Sequence, residues 1–494
     1  MIELPEEIYS VQQVRELDLG AIDRLGITGY ELMCRAGEAA YNVLESHWPS
    51  TPALTIFCGA GNNAGDGYVL ARVAAEAGRA VRVIAVTSPD QLSGAAETAW
   101  AAYRDTGRTV EAFSKEASIG DGVVVDALLG TGLVRDLSGL YLDAVTCVNA
   151  ANRPVLSLDI PTGLDADSGL VTGAAVRADV TVSFVGLKAG QFLGFAPDYC
   201  GELVFAGLEI PDEVYASHPP ILKLLTSATL RQAFPPRLPS AHKGSNGSVL
   251  LVGGGPGMPG AIRLAAEAAL RAGAGIVRVA THSDSATPIV AGRPEIICRA
   301  VNKPLELEPL LEQSDAVVLG PGLGTSVWGQ RLAERVLACD LAVIVDADGL
   351  NWLAEHPCQR DNWVLTPHPG EAARLAGCRT VEIQAGRLEA AKGLAEQFSA
   401  TVVLKGAGTI VATPNDAPPS LCNRGNAGMA TAGMGDVLAG VIGAIAVQSG
   451  DLPLSARAGV LLHALAGDAA VTPGERGLIA GDLMPHLRRL ANPE

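Results

Sequence analysis

Short apolar runs alternate with longer stretches in which alanine and leucine recur at helical spacing, and the alternation holds along most of the chain. In the first half the runs are 54–58, 81–86, 122–126, 154–160 and 179–184. Each ends at a Gly, Asp or Pro turn, and several lead into Ala-rich stretches such as 68–77. Continuous apolar strands separated by helices predict a mostly parallel sheet covered on both faces. Segment 10–43 reads as helical, interrupted at Gly26-Ile-Thr-Gly29. Between 211 and 240 the pattern breaks at Pro211, Pro219, Pro220, Pro235, Pro236 and Pro239, which predicts a linker near 212–224. The alternation then restarts with runs at 248–252, 276–280, 316–319, 342–345, 363–366, 402–404 and 409–411, and helical stretches at 260–272, 382–397, 437–447 and 456–470.

Length sharpens this picture. A chain of 494 residues exceeds the ~250–300 at which single cores stop growing. We therefore expect two α/β domains, 1–212 and 225–494, each a mostly parallel sheet covered by helices. Composition is globular, at 48% hydrophobic and 18% charged. A net charge of −17 argues against nucleic acid or an anionic membrane as partner, since both need a basic footprint. Nine cysteines without a CxxC pair are expected to be buried small hydrophobes in a reducing compartment. The acidic start Met1-Ile-Glu-Leu-Pro-Glu-Glu lacks a secretory pattern, and no apolar run approaches the ~18 residues of a spanning helix. A cytoplasmic location is the expectation.

Candidate chemistry in the first half gathers where strands end. Gly59-Ala-Gly-Asn-Asn-Ala-Gly-Asp-Gly67 lies between a strand and a helix, where glycines let backbone approach a pyrophosphate. Asn62, Asn63 and Asp66 add side-chain oxygens that suit a hydroxylated ligand or a hard cation; alternatively the loop is a turn bonding its own backbone. Asp126, Asp159, Thr162 and Lys188 follow three further strands. A single acid at such a place is often a helix cap, but several at one sheet edge are harder to explain that way. An Asp and a Lys there can act as an acid–base pair.

These segments resemble the YjeF N-terminal, NAD(P)H-hydrate epimerase family over residues 1–212: a GxNNGGDG-like loop, VDxxxGTG, DIPSG and a downstream Lys occur in order. The resemblance implies a Rossmann-like three-layer fold. It implies that Asn62, Asn63, Ala64, Gly65 and Asp66, with Gly130, Thr131, Gly132, Leu133, Val134, Arg135 and Asp136, contact a hydrated nicotinamide dinucleotide. It also implies potassium held by Asn63, Asp126 and Thr162, and Asp159 facing the substrate. Proton transfer is assigned to Asp159 and Lys188. Ala64 stands for a family Gly and Thr162 for Ser; Thr keeps the hydroxyl, and Ala64 needs a backbone that tolerates a Cβ.

The second half lacks GxxxxGK[ST], which excludes a Walker-type loop. Instead, the Gly-rich loop from Asn426 ends in Thr431-Ala-Gly-Met-Gly-Asp436 and runs into an apolar helix, so backbone N–H groups and the positive helix end converge into an anion hole. Asp436, in the first turn, is expected to stay ionised at neutral pH and to serve as a base in phosphoryl transfer; alternatively it only caps a buried helix. Lys405, Gly406, Ala407, Gly408 and Thr409 form a strand–turn–strand that fits a nucleotide. Gly320-Pro-Gly-Leu-Gly-Thr325, Asp346-Ala-Asp-Gly-Leu350 and Thr366-Pro-His-Pro-Gly-Glu371 follow other strands. His368, between two prolines, is expected to face a ligand cleft, and no second ligand is spaced for zinc.

This set resembles the YjeF C-terminal, ribokinase-like NAD(P)H-hydrate dehydratase family from His242 to Gly481, through HKGxxG, GMPGA, GPGLG, DADGL, TPHPGE, KGxxT and GxGD, with Met434 where the family has Thr. It implies that Lys405, Gly406, Ala407, Gly408, Thr409 and Gly435 bind ADP (or ATP), with Mg2+ as its companion. It further implies that Ala261, Gly324, His368 and Asp436 contact the hydrated cofactor, and that the chain forms a homo-oligomer. The two resemblances together imply repair of hydrated NADH and NADPH: epimerisation of the R and S hydrates, then nucleotide-dependent dehydration of the S form. The alternative is a small-molecule kinase of the hydroxymethylpyrimidine or thiazole type, carrying a non-catalytic N-terminal binding module.

Overall fold

A computed structural model describes residues 4–132, 135–414 and 418–493. The chain folds as two compact units, Met1–Leu222 and Lys223–Glu494.

In the first unit the strands are β1 (Glu7–Tyr9), β2 (Ala53–Cys58), β3 (Ala80–Ala85), β4 (Val110–Ala112), β5 (Val123–Ala127), β6 (Val155–Leu158), β7 (Val180–Phe184), β8 (Leu187–Lys188) and β9 (Glu202–Ala206). Seven of them form one sheet in the order β4-β3-β2-β5-β6-β7-β9, with every pairing parallel. Side chains alternate between its faces. Leu54, Ile56, Val123 and Val125 pack on one side with the helices Gly29–His47 and Asn62–Glu76. Phe57 and Val124 pack on the other, with the helix Gly139–Ala150. The result is three layers. β2 and β5 lie at the centre of the sheet, which is why the loops that follow them meet.

The predicted helical segment is two helices, Val11–Leu25 and Gly29–His47. Gly26 ends the first in the left-handed conformation, and Thr28 opens the second with a capping box. One expectation is corrected: residues 62–66 are the first turn of the helix Asn62–Glu76 and not a loop. Helix propensity disfavours Asn and Gly there, but Gly65 and Gly67 let the turn press onto Met33 and Ala127, where a Cβ would lie within 2.5 Å of a side chain. Ala64 is buried and is absent from the positive-φ residues, so its Cβ is accommodated. The stretch expected as linker holds the helix Asp212–Ala216, whose Val214 enters the first unit's core.

The second unit's strands are β10 (Leu222–Leu224), β11 (Ser248–Val252), β12 (Ile276–Thr281), β13 (Ile297–Ala300), β14 (Ala316–Leu319), β15 (Ala342–Val345), β16 (Trp363–Leu365), β17 (Thr401–Leu404), β18 (Thr409–Ala412) and β19 (Ser420–Cys422). They run in the order β13-β12-β11-β14-β15-β16-β17-β18-β19-β10. Pairing is parallel from β13 to β17 and antiparallel from β17 through β19. The helix Met434–Ser449 is buried on nearly every side, as a helix apolar all round must be. Gly440 lets it approach Ala265 of the helix Pro259–Arg271: a Cβ there would sit 2.0 Å from the Ala265 carbonyl oxygen.

All nine cysteines are free thiols; Cys58, Cys200, Cys339 and Cys422 are buried, whereas Cys358 and Cys378 are exposed, contrary to the expectation of burial for the set. No described helix is long and apolar enough to cross a membrane.

Candidate active sites

In the first unit, β5 ends in Asp126, which is fully buried. Its carboxylate accepts from Thr162 Oγ1 at 2.7 Å, Thr162 N at 2.8 Å, Ser157 Oγ at 3.0 Å and Leu128 N at 3.2 Å. Burial pushes its pKa up, and the Thr162, Leu128 and Ser157 bonds oppose that. With its lone pairs so used, Asp126 offers a cation mainly its charge. Thr162 Oγ1 also accepts from Leu129 N at 2.9 Å, which fastens the loop after β5 to the loop after β6. The side chain of Asn63 is buried, and neither amide atom has a hydrogen-bond partner. A Cβ built on Gly130 would lie 3.5 Å from both Asn63 Cβ and Asp159 Oδ2. Asn63, Gly130 and Asp159 therefore lie together where the loops after β5 and β6 meet.

Asp159 follows β6 with φ 66°, a conformation costly for a residue with a side chain. It accepts a hydrogen bond from Lys188 Nζ. Lys188 is fully buried and also donates to Ser183 Oγ and the Phe184 carbonyl, both at 3.1 Å. Gln191 completes the frame, donating from Nε2 to the Asp159 carbonyl at 2.8 Å. Asp66 is raised well above the ordinary carboxylate range, by burial first and then by Asp159 and Asp18, with Lys188 opposing. Gly61, which precedes the helix Asn62–Glu76, has no side chain to cap it, so the N–H groups of that first turn are open to an anion. Thr131 accepts from Arg15 at 3.1 Å. Arg135 and Asp136 are exposed, and Leu133 and Val134 lie outside the described residues.

In the second unit, Lys405 follows β17, and its Nζ lies 2.8 Å from Asp346 Oδ1 and 3.7 Å from Glu371 Oε2. Burial works against its charge, yet Asp346 and Glu371 outweigh it and hold the ammonium's pKa above its usual value. Thr366 Oγ1 donates to the same Asp346 oxygen at 2.8 Å. A Cβ on Gly435 would lie 3.3 Å from Lys405 Nζ and 3.7 Å from Asp346 Oδ2, so the start of the helix Met434–Ser449 meets this pair. Gly433 caps that helix at φ 91° without a side-chain bond.

Asp436 departs from expectation. Burial first, then Asp346, with Asp348 and Glu371 adding and Lys405 opposing, raises its carboxyl to about 7. It is thus about half protonated at neutrality and not fully ionised: desolvation and neighbouring carboxylates outweigh the helix N-terminus.

Asp348 binds Gly324 N through Oδ2 at 2.8 Å, and between it and Asp346 Ala347 adopts φ 47°, a strained turn. Gly322 and Gly324 pack on Met258, with Ala261 3.2 Å from the position of a Cβ on Gly322. His368 is half exposed. Its Nδ1 accepts from Gly370 N at 3.0 Å and Glu371 N at 3.3 Å, capping the helix Pro369–Ala376. That leaves Nε2, 3.4 Å from Glu371 Oε1, as its outward atom.

Sequence reasoning missed Arg387. It is buried and donates to the carbonyls of Gly408 at 3.2 Å and of Leu404 and Lys405 at 3.3 Å, bracing the turn Lys405, Gly406, Ala407, Gly408 and Thr409 from below. Burial lowers its pKa to about 10. Its only sequence signal is an arginine in an otherwise ordinary helical pattern. Among the described residues no group of three or more His, Cys, Asp or Glu side chains is placed to hold a metal ion.

The family model for the YjeF-related protein N-terminus matches residues 29–190, and the model for NAD(P)H-hydrate dehydratase matches 249–488. A bifunctional NAD(P)H-hydrate repair enzyme from Coxiella burnetii is 46% identical over 98% of this chain and 99% of its own. This chain belongs to the bifunctional NAD(P)H-hydrate repair enzymes. The Escherichia coli repair enzyme of the same name is 41% identical over 100% of this chain and 95% of its own. A ribokinase-like superfamily protein from Enterococcus faecalis shares the fold over 54% of this chain and 94% of that one, with TM-score 0.51 and 26% identity. The repair-enzyme match sets aside the small-molecule kinase considered from the sequence.

Proposed function

We propose that the first unit interconverts the R and S hydrates of NADH and NADPH at C6, and that the second removes water from the S hydrate with ADP (or ATP) as co-substrate. The observation that carries the second half is Asp436, a carboxyl poised near neutrality at an uncapped helix start beside the Lys405–Asp346 pair. A hydroxide is a poor leaving group and a phosphate a good one. Asp436 takes the proton of the hydrate's hydroxyl as the terminal phosphoryl group transfers, and elimination then restores the ring. The N–H groups at the helix start hold the transferring phosphate, Lys405 neutralises charge on it, and the turn from Lys405 to Thr409 with Gly435 seats the nucleotide. Ala261, Gly324 and His368 line the hydrate's side. Asp346 and Glu371 are engaged with Lys405; Mg2+ would accompany the nucleotide and screen its phosphate charge.

In the first unit, Asp159 and Lys188 move the proton at the C6 hydroxyl. The open N–H groups of residues 62–64 receive the dinucleotide phosphates, and loop residues 130–132 close over them. A potassium ion fits the unpartnered Asn63 Oδ1 with Thr162 and Asp126, where it would supply charge to the phosphate side of the pocket. The chemistry requires no nucleic acid or membrane and fits a cytoplasmic homo-oligomer.

One incubation tests both halves: mixed-epimer NADH hydrate with ADP, ATP or neither, followed by recovery of reduced nicotinamide. Full recovery with a nucleotide is expected. A stall at the S fraction removes the epimerase, and no recovery removes the dehydratase.

A further inference from the structure

Gln191 ends the short turn Ala189–Gln191 that follows Lys188, and it is only 4% exposed. Its carboxamide does more than cap that turn. Oε1 accepts from Lys188 N at 2.9 Å, the bond a cap requires, and lies 3.2 Å from the Ser183 hydroxyl. Nε2 points the other way and donates to the Asp159 carbonyl at 2.8 Å, across 32 residues of sequence. Only one orientation of the amide satisfies these partners. Turned over, its NH2 would face the Lys188 N–H and its oxygen the Asp159 carbonyl. One buried side chain thus ties the backbone of Lys188 to the backbone of Asp159.

The side chains of those two residues are set by the same frame. The Lys188 ammonium has three hydrogens, and Asp159 Oδ1, Ser183 Oγ and the Phe184 carbonyl are their acceptors. Ser183, which fixes one of these directions, is itself in reach of Gln191 Oε1. With Oδ1 turned to the ammonium, Asp159 Oδ2 accepts no hydrogen bond among the described residues. It is the oxygen that lies 3.5 Å from the position of a Cβ on Gly130, in the loop that the epimerase reading places over the substrate. Asp159 keeps this setting at φ 66°, a left-handed conformation uncommon for a residue with a side chain. Two bonds hold its backbone there: its N–H donates to the Val182 carbonyl at 2.7 Å, and its own carbonyl accepts from Gln191.

We propose that Gln191 is a positioning residue of the epimerisation site, whose carboxamide holds Asp159 and Lys188 in the relative setting that leaves Asp159 Oδ2 facing the substrate. The inference rests on the epimerase reading. Gln191 does not touch the reacting atoms; it acts through Asp159 and Lys188. Without the Nε2 bond, the Asp159 backbone is free to relax toward the more favourable regions of negative φ, which swings its carboxylate away from Gly130. Without Oε1, Lys188 N loses its acceptor and Ser183 loses a neighbour, so the ammonium is free to follow. A displacement of about 1 Å in a proton-transfer group costs about 100-fold in rate. Binding of the dinucleotide, placed on residues 62–66 and 130–132, is spared, so the effect belongs in kcat and not in KM.

The test uses the full chain as Gln191→Met, which keeps the volume and loses the hydrogen bonds, and as Gln191→Glu, which keeps the shape. Each receives purified R hydrate of NADH and no nucleotide. Formation of the S hydrate above the spontaneous rate is followed chromatographically at several pH values. Gln191→Met should lose about 100-fold in kcat for exchange, with KM within about threefold. Gln191→Glu has no donor for the Asp159 carbonyl while ionised and regains one when protonated. Its kcat relative to wild type should therefore rise several-fold from pH 8 to pH 5.5, a signature that lost packing alone does not produce. ADP-dependent dehydration of the S hydrate should be unchanged in both. Should Gln191→Met fail to fold, seen as a lost melting transition, the pH ratio of Gln191→Glu decides alone. Exchange by Gln191→Met at the wild-type rate, or a Gln191→Glu ratio that stays flat with pH, overturns the proposal. Wild-type protein that never exceeds the spontaneous rate overturns the epimerase reading instead.

Discussion

Lys405 Nζ lies 2.8 Å from Asp346 Oδ1, joining the turn after β17 to the end of β15 across 59 residues of sequence. One ammonium thus answers three carboxylates, Asp346, Glu371 and Asp436. The two nearest claim it, and Asp436 is left with a raised affinity for its proton.

Asp436→Asn keeps the side chain's shape and removes the base. Dehydration kcat should fall by about 100-fold to 10,000-fold while ADP binding, read by calorimetry, stays within about threefold. Unchanged turnover would take Asp436 out of the mechanism.

The same carboxyl is a stability liability. Its folded value of about 7 lies above the ~3.9 of an unfolded Asp. The folded state therefore holds a proton that the unfolded chain releases; this contribution is full below ~3.9 and is lost as pH rises through 7. Without ligands, Asp436→Asn should match the wild type in thermal denaturation at pH 4 and exceed it by about 1–2 kcal/mol at pH 8, discounted for partial solvent access. Equal stability at pH 8 would contradict the raised value.

Arg387→Leu leaves the carbonyls of Leu404, Lys405 and Gly408 without their donor. The turn should loosen, raising KM for ADP by about tenfold, a change of ~1.4 kcal/mol, with kcat within about threefold. Stability should drop by about 2–3 kcal/mol. An unchanged KM would make Arg387 a core residue only.

The unpartnered Asn63 amide predicts a response to potassium. Titrating KCl against choline chloride at fixed ionic strength should raise the wild-type melting temperature and leave Asn63→Leu unmoved. A parallel rise in both proteins would remove Asn63 from any cation site.

Strands buried on both faces were plain in the sequence, because such strands are continuous apolar runs: Ser248–Val252, Ala316–Leu319 and Ala342–Val345 match their runs residue for residue. The edge strands Val110–Ala112 and Ile297–Ala300 escaped, since their side chains are largely exposed and carry no apolar signal. The stretch 382–397 proved to be two helices broken at Gly386, a break a single glycine announces only weakly.

The sequence by itself determined which loops carry chemistry, because glycines, acids and lysines at strand ends are local features: Asp126, Asp159, Thr162, Lys188, Lys405 and Asp436 are visible in their own motifs. Tertiary structure alone decided their states. It slid Arg387 beneath the turn after β17 and gave Asp346 the cation that Asp436 lacks. The reason is physical: a carboxylate's proton affinity depends on how much water it loses and which charges surround it, and both are fixed only when distant segments pack together.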